Sequence, residues 1–171
     1  MRSLALIILI LILTSCKKDG DGFTEFKVKA GRKWSFHLYS PTYNKSSLQF
    51  SFKINDTWKM GYTGGINKVA GIGAINHQEN SCRLGVKDID EGNEMYLYAY
   101  EDGIPHRIPI DTLGNGMYYC DIGYVGDEWH LTLEGKTYTC KAGKNFKIGE
   151  KLYPNLRNKI NEDWIVPIKF Y

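Results

Sequence analysis

Apolar and polar residues alternate in several short runs along the chain. Leu48, Phe50, Phe52 and Ile54 occupy every second position, with Gln49, Ser51 and Lys53 between them. A period of two predicts a strand with one face in a core and the other in water. Trp34, Phe36 and Leu38 show the same period. So do Trp58, Met60 and Tyr62, up to a break at Gly64-Gly65, and Cys82, Leu84 and Val86, up to a polar loop from Asp88 to Asn93.

The stretch from Glu94 to Ile110 reads as a hairpin with Asp102-Gly103 at its tip, a pair that accepts the positive backbone dihedrals of a type I′ turn. A two-residue loop sets Glu101 opposite Ile104, and the register follows by counting. Met95, Leu97 and Ala99 then share a face with His106, Ile108 and Ile110. Tyr96, Tyr98 and Tyr100 share the other with Pro105, Arg107 and Pro109. The first face predicts core and the second an aromatic surface.

A meander follows. Tyr118, Cys120, Ile122 and Tyr124 lead into a turn at Gly126-Asp127, Trp129, Leu131 and Leu133 into one at Gly135-Lys136, and Tyr138 and Cys140 close it. This register separates Cys120 from Cys140 by a whole strand, about 9.5 Å, beyond the roughly 7 Å that a disulfide spans between Cα atoms. Buried free thiols are therefore expected. Trp164, Val166, Ile168 and Phe170 predict a terminal strand between Asp163 and Tyr171.

Twelve tyrosines, 18 glycines and the lack of helical periodicity point to an all-β chain. About ten short strands joined by glycine-centred turns predict a two-sheet antiparallel β-sandwich, with a jelly roll as the expected architecture. Residues 23–171 suffice for one such domain. A net charge of +3 gives no reason to expect a nucleic-acid partner. The cysteines and the four histidines show no C-x-x-C or H-x-x-x-H spacing, so neither a metal nor a cofactor is expected. Oligomeric state is not legible.

The N-terminus adds a location. Arg2 precedes an uncharged apolar run, Leu4 to Leu13, too short for a comfortable membrane span. Leu13, Thr14, Ser15 and Cys16 then resemble the lipobox of bacterial lipoproteins. The resemblance implies that residues 1–15 are a signal peptide and that Cys16 carries lipid, so the membrane is a partner through that anchor. It further implies that Cys82, Cys120 and Cys140 lie in an oxidising compartment, an odd number in which at least one has no partner in the chain. Residues 16–22, polar and glycine-bearing, are expected to be a flexible tether. Lys17 and Lys18 followed by Asp19 and Asp21 resemble the charged export signals of Bacteroidetes lipoproteins, which implies the outer membrane.

A second resemblance lies in Asn76-His77-Gln78-Glu79-Asn80-Ser81-Cys82-Arg83-Leu84-Gly85, together with Lys151-Leu152-Tyr153-Pro154. These segments resemble a group of uncharacterised Bacteroidetes lipoproteins with concanavalin A-like lectin and glucanase sandwiches. The pattern departs after Pro154, where Asn155, Leu156 and Arg157 replace an aromatic residue and paired glycines. Sandwiches of that kind commonly bind glycans on the concave face of one sheet, with aromatic rings under the sugar and Arg, Asn or Glu on its hydroxyls.

On that reading the expected ligand-binding residues are Tyr96, Tyr98, Tyr100 and Arg107, with Arg83, Asn80 and His77 near them. Catalytic alternatives meet obstacles. Asp88, Asp90, Glu91 and Glu94 lack the Glu-x-Asp-x-x-Glu pattern of glucanases with this fold and surround Gly92, which marks a turn and sits one place too early for an EF-hand loop. A lyase would need a Tyr or His base and an Arg or Gln to neutralise a uronate carboxylate; His77, Arg83 and Tyr98 are of those types. The expected function is binding of a glycan or other envelope component. A small glycan-processing enzyme and a structural subunit of an outer-membrane complex are the alternatives.

Overall fold

The computed structural model describes residues 19–35, 43, 45–59, 65–89, 92–144, 146–158 and 161–171. The apolar run 4–13, Cys16, Lys17 and Lys18, and the expected strand positions Phe36, Leu38, Met60 and Tyr62 lie outside the described residues, as do Asp90 and Glu91. Eleven strands are described: β1 (Thr24–Val28), β2 (Ser47–Ile54), β3 (Asn67–Gly73), β4 (Ser81–Ile89), β5 (Gly92–Glu101), β6 (Ile104–Leu113), β7 (Gly116–Val125), β8 (Glu128–Leu133), β9 (Lys136–Lys141), β10 (Glu150–Leu152) and β11 (Trp164–Phe170). They form an antiparallel six-stranded sheet, ordered β1-β11-β2-β7-β8-β9, and an antiparallel five-stranded sheet, ordered β10-β3-β4-β5-β6. The molecule is an all-β two-sheet sandwich, as the alternation predicts.

The alternating residues meet between the sheets. Leu48, Phe50, Phe52 and Ile54 of β2 and Trp164, Val166 and Ile168 of β11 pack toward Ile72 of β3, Cys82, Leu84 and Val86 of β4, and Met95, Leu97 and Ala99 of β5, all buried. Fully burying a side chain of this size stabilises the fold by about 1.5–3 kcal/mol before entropy is counted, so register is set by the core. A slip of one residue would turn each of these strands inside out.

Asp102 and Gly103 both have positive φ, and Glu101 pairs with Ile104 as counted. Further along the hairpin, Met95 pairs with Asp111 and Tyr96 with Pro109, so Ile110 is an extra residue in a bulge. The β8–β9 turn falls at Glu134-Gly135, one residue before the expected pair, because Glu134 itself takes a positive φ of 48°. The faces are unchanged, but Cys140 moves opposite Trp129 and away from Cys120 along the strands. Cys82, Cys120 and Cys140 are free; the first two are buried and Cys140 is half-buried.

Three expectations need correction. Trp58 does not continue a strand: Asp56–Trp58 is a 3₁₀ turn capped by the Asn55 side chain, whose Oδ1 accepts from the Thr57 N–H. The turn lets the Trp58 indole stack on Phe52, centroids 6.0 Å apart, and donate from Nε1 to the Ile165 carbonyl at 3.0 Å. Trp34 is not a core-facing strand residue; it is 63% exposed and makes one isolated bridge to Asn155. Asp88 and Asn93 face each other at the end of the β4–β5 pair, so the expected polar loop is narrower and both belong to strands. At the N-terminal end of the described residues, Lys53 Nζ lies 3.0 Å from both Asp19 Oδ2 and Asp21 Oδ2, above the ring of buried Phe23.

Removing Trp58 leaves a cavity between Phe52 and Trp164 and takes one of three side-chain donors from the Ile165 carbonyl, which keeps those of Asn55 and Thr57. Trp58→Ala should cost about 3–5 kcal/mol in urea unfolding. A loss below about 1 kcal/mol would show that the turn is not part of the core.

Candidate functional site

The face of the five-stranded sheet turned away from the core carries the chemistry. Strand pairing lines up Leu152 of β10, Gly71 of β3, Arg83 of β4, Tyr98 of β5 and Arg107 of β6 in one row across all five strands. The adjacent rows carry Gly73, Ser81 and Tyr100 on one side, and Lys68, Gly85 and Tyr96 on the other. Lys68 reaches this face because the β3 register shifts between Lys68 and Ala70, which breaks the simple alternation.

Two glycines give the face its relief. A Cβ at Gly71 would lie 2.2 Å from the Cys82 carbonyl oxygen and 2.8 Å from Arg83 Cγ, so the absence of a side chain lets Arg83 lie close over β3. A Cβ at Gly85 would lie 2.5 Å from Ile66 Cγ2. Ile66 therefore settles on the sheet beside Tyr96 and Tyr98, and these three form a small buried cluster with Tyr100 packed against it.

The expected open tyrosine surface is thus partly roofed. Tyr96 does not line the groove next to it; it is buried, and its hydroxyl donates to Glu94. Tyr98 and Tyr100 do line that groove, with hydroxyls 3.3 Å apart and rings edge to face.

The groove has a volume of about 370 Å³. Arg107 is on its wall, and Lys33, Lys68 and Arg157 bring three more cations; Ile66, Asn155 and Leu156 complete it. No carboxylate is among these lining residues. Lys68 Nζ lies 4.6 Å from the Tyr98 ring centroid and the Arg107 guanidinium 5.8 Å from it, both within cation–π range. Burial, and then the charges of Arg83, Arg157 and Arg107, bring the Lys68 ammonium from 10.5 down to about 8.

Arg83 and His77 meet beside a second, smaller pocket that shares Asn155 with the first. Arg83 is 7% exposed, burial lowers its guanidinium to about 10, and its Nε has no hydrogen-bond partner among the described residues. His77 Nδ1 is 3.5 Å from Glu150 Oε2. Burial and Arg83 hold the imidazole below its ordinary value, against the pull of Glu150.

Asn80 turns away from both pockets. Its Oδ1 accepts from the backbone N–H groups of Gly143 at 2.8 Å and Asp102 at 3.3 Å, so it ties the hairpin tip to the segment after β9. It is a structural residue here, and a buried asparagine makes those bonds because unpaired amides inside a fold are costly. Among the described residues no three His, Cys, Asp or Glu side chains gather as a metal site.

Sequence reasoning missed Lys33, Lys68, Asn155 and Arg157. Lys68 sits on a strand whose alternation is broken by the register shift. The others come from segments remote in the chain, where only the departure after Pro154 marked the position of Asn155 and Arg157.

The two-sheet sandwich is a jelly-roll fold, and solved structures of similar fold include the following three. An alginate lyase of polysaccharide lyase family 7 superimposes with a TM-score of 0.61 at 14% identity, covering 92% of this chain and 83% of its own. The marine family 7 alginate lyase of Zobellia galactanivorans gives 0.56 at 13%, covering 90% and 78%. The β-glucanase of Bacillus licheniformis gives 0.54 at 10%, covering 91% and 80%. At these identities the likeness shows the fold. No family profile and no curated protein matches the chain by sequence.

Proposed function

We propose that this chain is a lipid-anchored protein of a bacterial cell envelope, held at Cys16 in the outer membrane, whose sandwich binds an acidic glycan in the groove over Tyr98 and Tyr100. One observation carries the ligand class: Lys33, Lys68, Arg107 and Arg157 converge on an aromatic floor with no carboxylate among the lining residues. Four neighbouring cations favour a ligand that brings negative charge, and the half-buried Tyr100 ring beside them favours one with an apolar C–H face. An acidic sugar has both. The fold neighbours named as alginate lyases and a β-glucanase process glycans, which supports the sugar half of this reading. The lipobox-like step at Leu13, Thr14, Ser15 and Cys16 supports the anchor.

A second reading is favoured by one feature. Lys68, at about 8, is a group able to accept a proton near neutral pH beside Tyr98. A carboxylate held by Arg107 would acidify the neighbouring C–H of a uronate; Lys68 as the free amine would take that proton, a C=C bond would form as the glycosidic C–O bond breaks, and water would protonate the departing oxygen. Incubation with oligouronates decides it: an ultraviolet-absorbing unsaturated product supports elimination, and unchanged sugars support binding alone.

Titration calorimetry of the full chain should show binding of oligouronates and none of neutral glucan oligosaccharides. Arg107→Ala, which removes a charge-assisted contact worth about 1.5–3 kcal/mol, should weaken binding by roughly tenfold or more. Binding should also weaken as pH rises through about 8, because Lys68 loses its proton there and the bound anion favours the charged form. Equal affinity for neutral and acidic sugars would sink the proposed ligand class. For the anchor, mass spectrometry of the native product should find diacylglycerol on Cys16; an unmodified thiol or an uncut leader would remove it.

A further inference from the structure

The row of residues that crosses the five-stranded sheet does not end at the groove. From Arg107 to Leu152 it spans four strand spacings, about 19 Å, and passes through Tyr98, Arg83 and Gly71. The groove takes up the β5–β6 end. The β10 end opens into the second pocket, about 190 Å³, lined by Trp34, His77, Arg83, Glu150, Tyr153 and Asn155 among others. This is below the roughly 300–1,000 Å³ of a complete ligand pocket, so it suits part of a longer molecule.

Three observations in this pocket point to a ligand. Arg83 is nine-tenths buried, and its side chain lines the pocket with no salt bridge to a carboxylate among the described residues. Trp34 leaves 63% of its surface in water at the rim, although its bridge to Asn155 fixes its backbone. His77 and Glu150, 3.5 Å apart, offer a donor and an acceptor on the same wall. Unlike the groove, this pocket holds a carboxylate, so its balance of charge is different and it suits hydroxyl groups as well as an anion.

We propose that the pocket of Trp34, His77, Arg83 and Glu150 is a second sugar subsite, continuous with the groove, so that the ligand is an oligosaccharide lying across the strands. Arg83 takes an acidic substituent of one sugar, the Trp34 ring covers its C–H face, and His77 with Glu150 meets its hydroxyls. Asn155, on the wall of both pockets, marks the junction. The inference rests on the acidic-glycan reading of the groove and adds a minimum length and a direction to its ligand.

Chain-length dependence tests it. Calorimetry of the full chain is run with a uronate disaccharide, tetrasaccharide and hexasaccharide. The tetrasaccharide should bind roughly tenfold or more tightly than the disaccharide, the scale of one good aromatic contact. Trp34→Ala, at an exposed position, should collapse that ratio to near one, whereas Arg107→Ala should weaken both lengths and keep the ratio. Equal affinities for the two lengths, or a ratio untouched by Trp34→Ala, would overturn the second subsite while leaving the groove reading intact. Failure of every uronate to bind would overturn both.

Discussion

Like charges gathered around a half-buried lysine repel it, and folding has to hold it there. The lysine is Lys68: it lies on a strand, above the Tyr98 ring, with Arg83, Arg107 and Arg157 as its charged neighbours. Because its folded pKa is below its unfolded one, the ammonium costs stability across neutral pH, and the cost is relieved as pH rises through about 8. The large apolar core, from Phe50 and Phe52 to Trp129 and Trp164, is what tolerates it. An arrangement that disfavours the empty protein is preorganised for an anion, which removes the repulsion on arrival.

Sheet geometry converts that electrostatic fact into a site. Arg83, Tyr98 and Arg107 come from three successive strands, and antiparallel pairing sets them side by side in one row. The bare positions at Gly71 and Gly85 then decide what lies on the face: Arg83 over one, Ile66 over the other. The same two glycines therefore bring Arg83 and Ile66 down onto the sheet, where Ile66 with Tyr98 joins the buried cluster to the groove wall.

Part of this was readable in the chain. The alternation of Leu48 to Ile54 and the Asp102-Gly103 tip each encode local geometry, so strand, turn and shared face of Tyr98, Tyr100 and Arg107 follow from counting. Tyr96 shows the limit of counting: it lies on the expected face, but Ile66 arrives from a remote segment and helps bury it. Lys68 escaped because a register shift at β3 hides its face, and Arg157 because only tertiary structure brings it to the sheet. Trp58 alternates like a strand residue, yet the Asn55 cap and a hydrogen bond to Ile165 turn it into a 3₁₀ plug. Asn80, whose type suited sugar hydroxyls, satisfies backbone amides instead.

The central claim is that the groove holds positive charge in want of an anion, and the Lys68 side chain reports it directly. An NMR pH titration of its terminal methylene should place the free protein's ammonium near 8, well below 10.5, and move it upward when an acidic oligosaccharide is bound. A free-protein value at the ordinary lysine position, or one that the sugar does not move, would contradict the account.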